Sequence, residues 1–149
     1  MRVVVQRVAQ ASCSIDNCVH SQIGKGFLLL VGFTTGDTLA QCSYLAKKIN
    51  GLRVFEDENG KMNLSLTNVG GEILSISQFT LYADTKCGNR PSFINAMEPV
   101  KANELYLEFN RMLASYGNVV KEGVFGADMK ISLINDGPVT IIYDEVNKA

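Results

Sequence analysis

The sequence predicts a single α/β domain in which a β-sheet carries two main helices. Short apolar and β-branched segments recur along the chain and indicate strands, while two longer segments have the apolar spacing of amphipathic helices. The length of 149 residues matches one domain, and no linker or internal repeat divides it. We therefore expect one domain over residues 1–149, with strands outnumbering helices.

The first third of the chain consists of segments that predict strands. Residues 3–8, 12–15 and 19–23 are rich in apolar and β-branched side chains, and turn residues follow the second and third of these segments. Residues 27–33 are almost continuously apolar, which indicates a strand covered on both faces. We expect this strand to be central in the sheet.

A first helix is predicted to begin after Thr38. Thr38 and Gln41 have the spacing of a capping box, in which each side chain satisfies a backbone donor of the other residue. Asn50-Gly51 ends the helix. Four apolar residues recur at the spacing of one helical face: Cys42, Leu45, Ala46 and Ile49. Cys42 is therefore interpreted as a small core residue and not as a reactive thiol.

The middle of the chain predicts a hairpin, a strand and a second helix. Residues 52–55 and 62–66 would pair around an acidic turn that lacks the ligand spacing of a calcium loop. Residues 72–81 indicate the next strand. The second helix follows Pro99 and ends before Gly117. Its apolar face holds seven residues: Ala102, Leu105, Tyr106, Phe109, Met112, Leu113 and Tyr116.

Composition narrows the classes of function. A net charge of −1 argues against a general polyanion binder, so contact with nucleic acid would use a local basic patch. No apolar run reaches membrane-spanning length and the first residues do not resemble a signal peptide, so we expect a cytoplasmic protein. Cys13, Cys18, Cys42 and Cys87 form no C-x-x-C pair, and His20 is the single histidine, so we expect free, buried thiols and no metal.

Two polar segments break the apolar pattern of the strands, and the first is Ser77-Gln78-Phe79-Thr80. Three polar side chains end an apolar strand there, where they could line a pocket beside exposed backbone N–H groups. On pattern alone, ordinary outward alternation along a strand explains them better.

The second polar segment lies between two apolar stretches, residues 129–134 and 139–143, that close the predicted sheet. Pro138 stands there although proline cannot donate to a strand ladder. The bond between Gly137 and Pro138 is a candidate for the cis form. Composition alone favours a plain hairpin turn over Asn-Asp-Gly-Pro.

Standard catalytic machinery is missing from the sequence. A nucleophile–histidine arrangement would need His20, which lies in a short early strand and is interpreted as a surface or interface residue. H-E-x-x-H, a Walker loop and G-x-G-x-x-G are absent. If the protein is an enzyme, its substrate must be labile or must assist its own reaction.

The two polar segments are similar to the signature motifs of the D-aminoacyl-tRNA deacylases. The first reads Ser-Gln-Phe-Thr-Leu over residues 77–81, and the second reads Asn-Asp-Gly-Pro-Val-Thr over residues 135–140. The resemblance covers the whole chain, including residues 1–8, 50–57 and 125–129. It implies a mixed, barrel-like sheet, a homodimer and no cofactor.

Membership in this family implies a hydrolase that removes a D-amino acid, or glycine, from the 3′ adenosine of tRNA. It further implies that the Gly-Pro bond is cis and enters the active site of the opposite subunit, where its carbonyls exclude the L side chain. A backbone that approaches a ligand closely requires glycine, and a rigid backbone can reject one substituent without any side chain.

The resemblance also implies a role for each candidate residue. Gly137 and Pro138 would be the chiral filter, and Arg7 would orient them. Met129 would pack beside a pocket floor made of four residues: Ser77, Gln78, Phe79 and Thr80. The Phe79 or Thr80 backbone N–H is the candidate oxyanion donor, while the ribose 2′-OH assists hydrolysis. Thr80 is interpreted as a positioning residue because nothing nearby in sequence could deprotonate it.

Lys86 and Arg90, with Lys47 or Lys48, are the candidate phosphate contacts to tRNA, although Cys87 occupies a position where the family commonly has a second basic residue. Three alternatives stay open at this point. They are a related deacylase with a trans Gly-Pro bond and relaxed chirality, a dimeric nucleic-acid-binding module that has lost catalysis, and a free-standing editing domain of a synthetase.

Overall fold

One long strand, β1 (Arg2–Ile15), organises the fold. In the computed structural model, which describes residues 1–145, its first half pairs antiparallel with β3 (Gly26–Gly32) and its second half with β2 (Cys18–Ile23). The last strand, β8 (Lys130–Asp144), pairs with both halves of β1. The sequence predicted two separate strands where β1 runs. Pairing with β8 along both halves, interrupted only by bulges, joins them into one.

The sheet is mixed and nearly closed. Its order is β2-β1-β3-β6-β7, and β6 (Glu72–Ser77) and β7 (Val119–Glu122) each run parallel to the preceding strand in that order. Across the remaining gap, the Ser21 hydroxyl donates to the Glu122 carbonyl at 2.9 Å, and the Lys121 ammonium donates to the Gln22 carbonyl at 2.8 Å. The predicted mixed, barrel-like α/β architecture is confirmed.

The two predicted helices begin and end at the expected signals. Helix α1 (Leu39–Asn50) has the predicted capping box, in which the Thr38 N–H donates to Gln41 Oε1 at 2.7 Å. Helix α3 (Pro99–Ser115) has proline in its first turn, and the short α2 (Leu66–Val69) was not predicted. A hairpin of β4 (Arg53–Glu56) and β5 (Met62–Ser65) forms a separate two-stranded sheet.

The core lies on both faces of β3. Phe27 and Leu29 join a cluster beneath α1 and α3, whereas Leu28 belongs to a second cluster on the opposite face. The central, doubly covered strand predicted for residues 27–33 is therefore confirmed. Cys42 is buried in the first cluster, as predicted.

Three details of the sequence interpretation were wrong. The strand predicted over residues 72–81 ends at Ser77, and a 3-10 turn (Phe79–Tyr82) follows. Two of the thiols expected to be buried, Cys18 and Cys87, are exposed. Residues 135–140 do not form a hairpin, because the segments on both sides of them pair with the same strand, β1. In the part of the chain that the structure describes, no helix has the length and apolar character needed to cross a membrane.

Candidate active site

A cavity of about 620 Å³ opens where β3 and β6 end. Its walls come from these strand ends, the turn after β6, the loop before α3 and the segment before β8. Most of its lining is apolar, with a few polar residues that include Ser77, Gln78, Glu98 and Asp128, as is usual for small-molecule sites. Six of the large apolar side chains that line it are Phe79, Phe93, Met97, Phe125, Met129 and Ile131.

Ser77 and Gln78, which connect β6 to the 3-10 turn, supply polar groups to this cavity. The Gln78 N–H donates to the Val31 carbonyl at 2.7 Å, which fixes the start of the turn against β3. Gly32 makes this approach possible, because a Cβ there would lie 2.9 Å from the Gln78 carbonyl oxygen. Phe79 and Thr80 occupy the first two helical positions, whose N–H groups have no acceptor within the turn.

The side chains of Phe79 and Thr80 in this turn are exposed to solvent, although the backbone of the turn is fixed against β3. Phe79 is 56% exposed and meets Phe93 edge to face, with ring centroids 4.9 Å apart. Thr80 is exposed and does not line the cavity, and its hydroxyl accepts a hydrogen bond from the Gln78 amide. An amide cannot take a proton from Thr80, so this geometry provides no base for a threonine nucleophile.

Arg2 anchors the far end of the turn, a contact that the sequence analysis missed. Its guanidinium donates to the Leu81 carbonyl and to the Asp144 carboxylate, the latter at 2.9 Å, and lies 4.8 Å from the Tyr82 ring centroid. The hydrogen bond to Asp144 raises the pKa of Arg2. Arg2 and Asp144 face each other across β1 and β8, so an opposite-charge pair on the two strands was the available signal.

The second polar segment is a large bulge in β8. Gln6 faces Thr140 and Val8 faces Asn135, so Arg7 alone lies opposite residues 136–139. Within the bulge, the Gly137-Pro138 peptide is cis and Gly137 has a φ of +133°, a value that strains any L side chain. Both residues are exposed.

Two side chains fix the shape of the bulge. Arg7, only 6% exposed, donates from Nε to the Asp136 carbonyl at 2.9 Å and from Nη1 to the Val54 carbonyl at 2.6 Å. Asn135 closes the base of the bulge: its Oδ1 accepts from the Val139 N–H at 2.8 Å, and its Nδ2 donates to the Thr140 hydroxyl at 3.0 Å. The buried guanidinium thus connects the bulge to strand β4.

The candidate residues therefore form two groups within one chain. Ser77, Gln78, Phe79 and Met129 line the cavity. Arg7, Gly137 and Pro138 form the second group, and none of these three is among the described residues that line the cavity. The aromatic residues Phe93 and Phe125 were missed as lining residues. An apolar Phe93-Ile94 pair within an otherwise polar loop was the signal for the first of them.

The basic candidates lie outside both groups. Lys86 and Arg90 are exposed in a loop whose ends are joined by backbone hydrogen bonds between Asp84 and Ser92. Lys47 and Lys48 are exposed in the last turn of α1.

Within residues 1–145, no group of three or more His, Cys, Asp or Glu side chains could hold a metal ion. Burial raises the pKa of Cys42 to about 12, so this thiol stays protonated at neutral pH.

Comparison with known proteins gives a consistent result. The family described as D-Tyr-tRNA(Tyr) deacylase matches residues 4–144 of this chain. A D-aminoacyl-tRNA deacylase of Lactobacillus gasseri is 58% identical over 144 residues, which cover 97% of this chain and 99% of the relative. A D-aminoacyl-tRNA deacylase of Exiguobacterium sibiricum is 57% identical over 145 residues, covering 97% of this chain and 100% of the relative.

Two solved structures are similar over nearly the full length. One, called c-Myc DNA Unwinding Element Binding Protein, has a TM-score of 0.92 at 40% identity and covers 98% of this chain and 99% of its own. The other, from the structural analysis of a probable eukaryotic D-amino acid tRNA deacylase, has a TM-score of 0.83 over 97% of this chain and 98% of its own, and at 17% identity it supports the fold alone. The chain belongs to the D-Tyr-tRNA(Tyr) deacylase family.

Proposed function

We propose that this D-aminoacyl-tRNA deacylase removes D-amino acids and glycine from tRNA, and that the exposed Gly137-Pro138 bulge of a second subunit completes its active site. One observation carries the cross-subunit part of the proposal. The bulge is fixed by a buried arginine, yet it points to solvent and does not line the cavity of its own chain. A homodimer of the single domain, residues 1–149, would bring the bulge of one copy to the cavity of the other.

This arrangement would select the D substrate by rejecting the L substrate. A substituent on one face of the substrate α-carbon would meet the backbone of Gly137 and Pro138, whereas hydrogen or a substituent on the other face would not. Backbone atoms suit this task because they cannot rotate away as a side chain can. Arg7 and Asn135 supply the rigidity through four hydrogen bonds to the residues of the bulge and its neighbours. Glycine, which carries no side chain, passes the same filter.

The chemistry is hydrolysis of an activated ester. Water attacks the carbonyl carbon, the bond to the ribose 3′ oxygen breaks, and the ribose 2′-OH assists the proton transfer. The Phe79 and Thr80 N–H groups, which lack acceptors within the turn, are suited to stabilise the oxyanion. Ser77 and Gln78 position the substrate, the Thr80 hydroxyl orients Gln78 by accepting from its amide, and Met129 packs beside the substrate.

The central test compares D-tyrosyl-tRNA with L-tyrosyl-tRNA in a deacylation assay. We expect loss of the ester from the D substrate alone. Equal hydrolysis of both would favour a deacylase with relaxed chirality and would refute the chiral filter. Hydrolysis of neither, with the protein folded, would refute the enzymatic function for this chain.

The cross-subunit arrangement has its own test. Gly137→Ala damages the filter, and Phe79→Ala damages the pocket floor. If each site combines both subunits, unfolding and refolding an equal mixture of the two impaired variants restores one intact site per heterodimer, and hydrolysis of D-tyrosyl-tRNA rises well above that of either variant alone. If each site lies within one subunit, the mixture stays as impaired as its components. Light scattering on the purified protein measures the dimer directly.

The exposed basic residues Lys86 and Arg90 are proposed to contact tRNA phosphates. Binding of tRNA should then weaken as salt rises, and replacing both residues by Gln should reduce the slope of log K against log salt by about 1 to 2. Replacing Lys47 and Lys48 by Gln is the matched comparison at a second basic position. A salt-independent affinity would refute phosphate contact by either pair.

A second candidate function is a dimeric nucleic-acid-binding module without catalysis. The observation that favours it is the similar structure called c-Myc DNA Unwinding Element Binding Protein. A folded chain that binds tRNA or DNA and leaves D-tyrosyl-tRNA intact would support this candidate. Hydrolysis of the D substrate with ordinary turnover would exclude it.

A further inference from the structure

We infer that Gly123 determines the depth of the cavity by leaving room for the Met129 side chain. Gly123 follows β7, and its N–H donates to the Ser75 carbonyl at 3.2 Å. A Cβ at this position would lie 2.5 Å from Met129 Sδ and 3.0 Å from Ile76 Cδ1. Both contacted side chains line the cavity, so an added methyl group would act on its wall.

Space, and not backbone conformation, is what requires glycine here. The φ of Gly123 is not among the positive values of this chain, so alanine can adopt its backbone geometry. The Gly123 N–H bond to Ser75 would also survive the change to alanine, because both residues have that donor. The remaining cost of a side chain is the clash with Met129 and Ile76.

The displaced methionine has one direction open to it. On its inner side Met129 packs against the second core cluster, whose members Leu28, Leu74 and Ile76 are almost completely buried. Protein interiors are close-packed and cannot take up another group, whereas a methionine side chain is flexible enough to swing aside. The thioether would therefore move into the cavity and make it shallower.

This inference rests on the proposed function, because the cavity is taken to hold the terminal nucleoside of the aminoacyl-tRNA. Its aromatic and thioether walls suit the flat face of a nucleobase. Gly123 would then affect substrate binding through Met129, without contacting the substrate itself. Since the nucleoside does not react, a shallower cavity should weaken binding of the ground state and the transition state alike.

The test is Gly123→Ala, assayed with D-tyrosyl-tRNA. We expect KM to rise about 10-fold, the effect of about one misfitted methylene group in an apolar pocket, with kcat nearly unchanged. Gly24→Ala is the matched control, since a Cβ at Gly24 meets nothing within 4 Å and its φ is not positive. That variant should keep the KM of the parent protein.

A double-mutant cycle identifies Met129 as the intermediary. In a Met129→Ala background, Gly123→Ala should change KM by less than about twofold, because the group that would be displaced is absent. An unchanged KM in the single variant would overturn the inference, and so would a full 10-fold loss that persists without the methionine side chain. A single variant that fails to fold would overturn it as well, since Met129 would then be unable to swing into the cavity.

The parent protein in the same assay separates the two failures. If it does not hydrolyse D-tyrosyl-tRNA, the proposed function fails and the cavity is assigned to the wrong ligand. If it does hydrolyse this substrate and Gly123→Ala behaves like Gly24→Ala, the function stands and the role of Gly123 fails.

Discussion

The two polar segments that interrupt the strands are built in opposite ways. The turn after β6 is positioned largely by backbone contacts with β3, where Gly32 permits a close approach, and Gln78 and Phe79 at its start line the cavity. The bulge in β8 depends on two side chains, Arg7 and Asn135, and presents its backbone to solvent. The first segment offers groups to a bound molecule, whereas the second offers a rigid edge.

This difference suits the two segments to different tasks, ligand binding for the turn and closure of the site for the bulge. A pocket floor must surround its ligand, so it forms where strand ends and loops converge within one chain. An edge that closes the site of a second copy and rejects one substituent needs stiffness and exposure, so it can lie elsewhere on its own chain. Because side chains determine the bulge, single substitutions should disturb it more than the turn.

Gly137→Ala, in the bulge, should cause the largest loss of activity. A Cβ at Gly137 would lie 2.7 Å from Val139 Cγ2 and 3.0 Å from Arg7 Nη2, and the φ of +133° is unsuited to alanine. The bulge must shift, and a shift of about 1 Å at an active site can cost about 100-fold in rate. We expect kcat/KM for D-tyrosyl-tRNA to fall by that factor.

Gly60→Ala is the control for backbone strain. Gly60 has a φ of +73° in the turn between β4 and β5, and a Cβ there meets nothing within 4 Å. It should lower thermal stability slightly and leave deacylation unchanged. If Gly60→Ala reduced activity as much as Gly137→Ala, general destabilisation would explain both results.

Arg7→Met should have the next largest effect. It removes the donors to the Asp136 and Val54 carbonyls from a buried site while keeping most of the apolar volume. A hydrogen bond from a charged group contributes about 1.5–3 kcal/mol, so we expect about a 30-fold loss in kcat/KM and about 2 kcal/mol lower unfolding free energy.

Arg7→Lys distinguishes charge from geometry. Lysine keeps the positive charge but cannot direct a planar fork at two carbonyls. Its activity should lie between those of the parent protein and Arg7→Met. Parent-like activity would show that charge alone orients the bulge.

The sequence predicted the fold well where periodicity was strong and failed where long-range pairing decided the outcome. The capping box at Thr38 and the buried run at residues 27–33 are local signals, and both interpretations were confirmed. The joining of two predicted strands into β1 depends on β8, more than a hundred residues away in sequence. The break after Ser77 likewise depends on the hydrogen bond from Gln78 to Val31.

The candidate site could be predicted only in part, because it too depends on contacts between residues distant in sequence. Pattern alone favoured a hairpin at Pro138, because nothing local shows that the stretches on both sides pair with one strand. The whole-chain resemblance located the two motifs. It said nothing of the Arg2 contact with the turn or of the space beside Gly123, since both require side chains distant in sequence to meet.

Arg2→Gln tests whether the turn depends on any side chain. The variant loses the charged hydrogen bonds to Leu81 and Asp144, but the pair with Asp144 is partly exposed and therefore weak. We expect about a fivefold decrease in kcat with little change in KM, because in the proposed mechanism the turn positions the reacting carbonyl. Asp144→Asn, which keeps Arg2 bonded to Leu81, should lower kcat by about twofold at most. Equal losses in the two variants would show that the ion pair and not the Leu81 contact anchors the turn.

Thr80→Val should have the smallest effect and decides the role of the hydroxyl. Valine preserves the shape of threonine and removes the acceptor for the Gln78 amide, an exposed neutral hydrogen bond. Such a bond contributes about 0.5–1.5 kcal/mol, so kcat should fall about threefold.

Removal of a nucleophile would have a much larger effect, since it typically lowers kcat by several orders of magnitude. Thr80→Ala should match Thr80→Val in single-turnover assays, and Thr80→Ser should retain full activity. Abolished turnover with tRNA binding intact would make Thr80 a catalytic group, and the function of the turn, like the shape of the bulge, would then depend on side chains.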